Sequence, residues 1–104
     1  MPDWAHVFVF GSALHSNAPK DLDLLVVYDP AGCPPNEARE KAELLASIIG
    51  QKSGLCPHVV VLSIKEEESI SFIHSEGCVP FEEWFKNWSD AIRNPAPSII
   101  DAAV

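Results

Sequence analysis

Apolar residues cluster in three short stretches and recur at helical spacing in three longer ones. Ala5 to Phe10 (A-H-V-F-V-F) is rich in β-branched and aromatic types and stops at Gly11-Ser12, which predicts a strand ending in a tight turn. Asp21 to Tyr28 (D-L-D-L-L-V-V-Y) predicts a second strand, apolar on both faces after its first three residues, as in the middle of a sheet covered on both sides. Asp29-Pro30 and Pro34-Pro35 close it with turn signals. Asn36 is placed to cap a helix in which Ala38, Ala42, Leu45 and Ile49 follow a 4-3-4 spacing. Glu37, Arg39, Glu40 and Lys41 fall on its outer side, and Gly50 and Gly54 mark its end. His58 to Ser63 (H-V-V-V-L-S) is a third strand.

A second helix is expected over Lys65 to Ser75, with Glu66, Glu67 and Glu68 in the first turn, suited to the positive end of a helix dipole, and Ile70 and Ile73 facing inward. Cys78-Val79 suggests a short extra strand. A third helix runs from Pro80 to Ile92, with Pro80 in the tolerated first turn and Phe81, Trp84, Phe85, Trp88 and Ile92 on one stripe. That stripe reads as packing against the sheet, with an interface as the alternative, because Trp is enriched there. Residues 94 to 104 are Pro-broken and read as a loose tail after a single domain over residues 1 to 93. The order of elements gives a small α/β domain of the α+β type, a mixed β-sheet flanked by helices. Only eight residues separate Ser12 from Asp21, too few for a helical crossover, so the first two strands are expected to be antiparallel neighbours.

Charge narrows the partners. The 104 residues carry 7 Lys+Arg against 15 Asp+Glu, a formal net charge of −8, and the cations are scattered. Duplex nucleic acid, which calls for a basic stripe, is disfavoured. No apolar run approaches the ~20 residues that span a bilayer, and no basic, then apolar, leader opens the chain, so a cytoplasmic protein is the expectation. Three cysteines, Cys33, Cys56 and Cys78, cannot all pair within one chain and read as reduced thiols. Cys56 and His58, with His74 and Cys78, include zinc-ligand types, but the tight two-by-two spacing of structural zinc sites is absent.

The chemistry concentrates in two places. Asp21 and Asp23 stand two apart at the start of a strand, so both side chains leave one face, with Cα atoms roughly 6.5–7 Å apart. Two carboxylates so placed suit a Mg²⁺ ion that keeps waters and substrate phosphate oxygens as its other ligands. Gly11 and Ser12 end the preceding strand, where a residue without Cβ lets the backbone approach a phosphate and a hydroxyl can add a donor. D-x-D and G-S are each common without function.

Together, V-F-V-F-G-S, then A-L-H-S-N-A-P-K, then D-L-D-L-L-V-V resembles the signature of the minimal nucleotidyltransferases of the DNA polymerase β superfamily. The likeness extends through the following helix, the strand P-H-V-V-V-L-S and an acidic helix, over most of residues 5 to 77. It implies a nucleotidyltransferase-like fold and transfer of a nucleoside monophosphate, AMP from ATP, to a hydroxyl acceptor. Asp21 and Asp23 would hold Mg²⁺, and Gly11, Ser12 and Lys20 would contact the triphosphate, with His15 a further loop candidate. Two departures stand out: the eight-residue loop is short, and His58 occupies the position where the family's third carboxylate is expected. An imidazole there shifts preference from Mg²⁺ toward Mn²⁺ or Zn²⁺, and can serve as a general base. The resemblance also implies a partner, a helical protein as in toxin–antitoxin pairs or a second copy, to complete the acceptor site. The competing expectation is a catalytically silent nucleotide-binding or protein-interaction domain.

Overall fold

The computed structural model describes residues 3–16 and 19–93, with the side chains of 91–93 left aside. The proposed tail and Ile92 of the aromatic stripe lie outside the described residues. Strand β1 (Ala5–Phe10) leads through a short 3-10 helix (Gly11–Leu14) and a loop to β2 (Asp21–Tyr28). Helix α1 (Pro35–Ser53) returns to β3 (Cys56–Ser63), and the short helices α2 (Ile64–Ile70) and α3 (Phe72–Glu76) follow. A two-residue strand, β4 (Val79–Pro80), and helix α4 (Phe81–Arg93) complete the described chain. The four strands form one mixed sheet in the order β3-β2-β1-β4. β1 lies antiparallel to β2, as the short gap requires, β2 and β3 are parallel neighbours, and β4 is antiparallel to β1.

Alternation along the strands divides the sheet into two faces. Val7 and Val9 of β1, Leu22, Leu24 and Val26 of β2, and half-buried Val59 and Val61 of β3 share one face with Ala38, Ala42, Ala46 and Ile49 of α1 and Phe81 and Trp84 of α4. The small alanines let α1 lie close on the sheet. The aromatic stripe of α4 is largely core: Phe81 and Trp84 are buried and Trp88 half-buried, while Phe85 is exposed. The Trp84 indole N–H donates to the carbonyl of Ala13 at 3.4 Å, tying α4 to the turn after β1. On the opposite face, Leu25 and Val27 are buried, and Phe10 meets Phe72 of α3 edge-to-face at 4.9 Å. That face also carries Asp21 and Asp23. Among the described residues no helix is long and apolar enough to cross a membrane.

Several boundaries differ from expectation. The short strand is Val79–Pro80 and not Cys78-Val79, because Val79 and Pro80 are the residues that pair with Val9 and Phe8 of β1; Pro80 therefore precedes α4, which starts at Phe81. Helix α1 starts at Pro35, not after an Asn36 cap, because a proline in the first turn needs no N–H partner there. It continues through Gly50 and ends at Gly54, whose left-handed φ of 75° closes it. β3 begins at Cys56, two residues early, because the Cys56 N–H donates to the Lys20 carbonyl at 2.9 Å and lengthens the β2–β3 ladder. The single helix expected over 65–75 is two helices broken at Ser71, which takes a left-handed φ of 50°. The Glu67 carboxylate accepts the Ile73 N–H at 3.0 Å and stabilises the break. Ile70 is consequently exposed instead of facing in, while Ile73 is half-buried.

Candidate functional site

The strand register assembles the site at one end of one face. Phe10 pairs with Asp23 and Asp23 with His58, while Asp21 pairs with Cys56. Residues paired across a sheet share a face, so Asp21, Asp23, Cys56 and His58 form a two-by-two block on neighbouring strands, with both aspartates on one side as the D-x-D spacing requires.

Asp23 turns toward β1. A Cβ added to Gly11 would lie 3.2 Å from the Asp23 carboxyl carbon and closer still to Oδ2, so the carboxylate occupies the space that any other residue at position 11 would fill. Gly11 also has a φ of 75°, which disfavours side chains. The absence of a side chain at Gly11 thus gives the Asp23 carboxylate its seat. Asp23 is half-buried and meets no hydrogen-bond donor or cation among the described residues.

Asp21 turns toward β3. Its Oδ1 lies 3.8 Å from His58 Nε2, with both side chains more than half exposed. His58 Nε2 in turn lies 4.0 Å from the Cys56 thiol. The three ligand atoms fall within 4.8 Å of one another, the one metal-capable group of three or more such side chains among the described residues.

No family model, curated protein or solved structure matches the chain.

The remaining sequence candidates are near but not joined to this group. Ser12 is exposed, and its carbonyl accepts the His15 N–H at 3.0 Å within the turn. Lys20 is exposed and contributes its backbone carbonyl to Cys56. His74 and Cys78 stand apart from the cluster, with the Cys78 thiol directed to the Phe72 carbonyl at 3.9 Å. Burial, reinforced by Glu76 and Glu67, holds the Cys78 thiol above its ordinary pKa and keeps it protonated. Cys56 is the site residue that sequence reasoning left out of its D-x-D constellation. Its signal was the C-x-H spacing at the head of a strand, the same two-residue repeat as D-x-D.

The donor set fits Mg²⁺ only in part. Asp21 and Asp23 are hard oxygen donors, but they face different neighbours, and Asp21 shares its surroundings with nitrogen and sulfur.

Proposed function

We propose that this end of the sheet binds a nucleoside triphosphate together with a divalent cation and transfers its nucleoside monophosphate to a hydroxyl acceptor. The observation that carries the reading is Asp23: a half-buried carboxylate held against the Gly11 bend, with no donor or cation among the described residues. Its carboxylate oxygens keep access to solvent, so the group is open to a cation or ligand donor arriving at the bend. The mixed sheet, the Gly-Ser bend and the Asp-x-Asp pair on adjacent strand ends support the same reading.

In this reading Asp21 and Asp23 supply negative charge for the cation that accompanies the triphosphate, Mg²⁺ or Mn²⁺. Held there, such a cation would neutralise phosphate charge and polarise the α-phosphorus. Ser12 and Lys20 stand at the rim, where a hydroxyl and an ammonium can contact phosphate oxygens. His58, exposed beside Asp21, can accept the proton of the attacking hydroxyl as pyrophosphate leaves, provided no metal ion occupies its ring nitrogen. The acceptor is supplied by a second protein, helical as in toxin–antitoxin pairs, or by a second copy of this chain.

The test is a melting-temperature screen with ATP and other nucleoside triphosphates, with Mg²⁺ and with Mn²⁺, on wild type, Asp21→Ala and Asp23→Ala, followed by pyrophosphate release with hydroxyl acceptors. Metal-dependent stabilisation by nucleotide that Asp23→Ala abolishes is the expected outcome. Absence of any nucleotide-dependent shift in wild type rejects the reading. One observation favours a silent binding domain as the second reading: β3 places His58, not a carboxylate, beside Asp23. Nucleotide stabilisation without pyrophosphate release from any acceptor selects that alternative.

A further inference from the structure

Asp21, Cys56 and His58 present an oxygen, a sulfur and a nitrogen donor from two parallel strands, all exposed and within 4.8 Å of one another. We propose that these three side chains form a site for a borderline divalent cation, of which zinc is the best match, and that this ion, not Mg²⁺, is the one the free protein holds. As an account of the cation at the transfer site the proposal rests on the reading above; as a metal site it is measurable without nucleotide.

The contacts themselves argue for an ion. Asp21 Oδ1 to His58 Nε2 at 3.8 Å is too long for a formed hydrogen bond, and Cys56 Sγ to His58 Nε2 at 4.0 Å is at the outer limit for sulfur. Three ligand-type groups thus converge through long, solvent-exposed contacts that a metal can replace without breaking a tight one. Zinc bonds of about 2.0–2.3 Å set tetrahedral ligand–ligand separations of roughly 3.3–3.7 Å, so closure needs shifts of about 1 Å or less in side chains free to turn. The set is specific in kind. A thiolate selects zinc over magnesium, imidazole suits zinc, and Asp21 completes three protein ligands. The fourth tetrahedral position stays open for water or a substrate oxygen, the pattern of catalytic rather than structural zinc. On binding, the sulfur–metal bond forms as the Cys56 S–H proton leaves to solvent, one proton per ion and no change of oxidation state. The other thiols do not compete for the role: Cys33 is buried and Cys78 lies outside the group.

Cobalt(II), the optical stand-in for zinc, reports the sulfur bond directly. Full-length apo protein is titrated with Co²⁺ under reducing conditions. The expected result is a near-ultraviolet thiolate-to-cobalt charge-transfer band that saturates at one equivalent, is bleached by one equivalent of Zn²⁺, and persists in a large excess of Mg²⁺. Cys56→Ser abolishes the band, His58→Ala and Asp21→Asn weaken it, and Cys78→Ser keeps it. Circular dichroism confirms that each variant is folded, as the exposure of Asp21, Cys56 and His58 allows. A wild-type protein with no band, or a band that survives Cys56→Ser, overturns the assignment. The melting screen separates the two ideas: cobalt binding without nucleotide stabilisation keeps the metal site and rejects the transfer reading. Nucleotide stabilisation with Mg²⁺ and no cobalt band does the reverse.

Discussion

Substitution of Gly11 probes the contact on which the Asp23 carboxylate depends. In Gly11→Ala the new methyl must share space with the Asp23 carboxylate, whose carboxyl carbon would sit 3.2 Å away, and the backbone must hold a φ of 75° with a side chain attached. The backbone conformation costs about 1–2 kcal/mol for an L-residue. Displacing the carboxylate adds about 1–3 kcal/mol, the usual scale of overpacking. Asp23 has only one rotatable bond before its carboxyl group, so it cannot swing clear as a long side chain would. The two contributions separate in a double-mutant cycle. Asp23→Ala removes the carboxyl atoms and leaves only a Cβ at 3.5 Å, an ordinary contact. Gly11→Ala should therefore cost about 2–5 kcal/mol in the wild-type background but only about 1–2 kcal/mol beside Asp23→Ala, a coupling of about 1–3 kcal/mol. Urea denaturation followed by tryptophan fluorescence measures each corner, and for a chain of this size each kcal/mol also moves the melting temperature by about 4–8 °C. Gly11→Asn supplies a third arm, since asparagine tolerates the left-handed region yet still meets the carboxylate. Equal costs for Gly11→Ala in both backgrounds would refute the apposition of Asp23 and the bend, and with it the basis of the proposed site.

Other perturbations have outcomes set by the packing around each residue. Gly50→Ala, which gains about 1 kcal/mol in a free helix, should instead destabilise, because its Cβ would lie 2.9 Å from the rigid ring of Pro57; a raised urea midpoint would contradict this. Trp84→Ala should cost about 3–5 kcal/mol by emptying core volume between α4 and the sheet, and Trp84→Phe less, with the Ala13 carbonyl losing its donor. At the start of α2, Ser63 and Glu66 form a reciprocal cap, with the Glu66 carboxylate accepting the Ser63 N–H at 2.9 Å and held below the usual carboxylate range. Because its folded pKa is depressed, the stability it contributes is present at neutral pH and lost as pH falls through the acid range. Glu66→Gln should flatten that acid limb of a melting-temperature profile, and Ser63→Ala should lower stability by about 0.5–2 kcal/mol at pH 7. Alkylation with iodoacetamide, mapped by mass spectrometry, should label exposed Cys56 first and Cys78 more slowly, its thiol being half-buried and kept protonated. Buried Cys33 should react last.

How much of this was legible in the sequence depends on the range of the interactions that decide each feature. The strands follow from alternation that each segment carries within itself, and the antiparallel β1–β2 pair follows from a connection too short for anything else. The shared face of Asp21 and Asp23 is equally local. The break at Ser71 is not, since no Gly or Pro marks it; it is held by the Glu67 carboxylate reaching past its own helix to Ile73, and by Phe72 turning onto Phe10 in a distant strand. The site shows the same division. The composition of its two halves, D-x-D and C-x-H, is written at the heads of two strands, but nothing in a 19-residue crossover helix dictates which rung of β3 meets which rung of β2. A shift of two residues would preserve every buried apolar position's face and yet part Asp21 from Cys56. The register that unites them is set by Lys20 accepting from Cys56, and by Gly50 admitting Pro57 close to α1. The placement of Pro57 by Gly50 makes the latter, remote from the cluster in sequence and bearing no ligand, a determinant of its geometry. Gly50→Ala should accordingly weaken cobalt binding even under conditions where the protein remains folded.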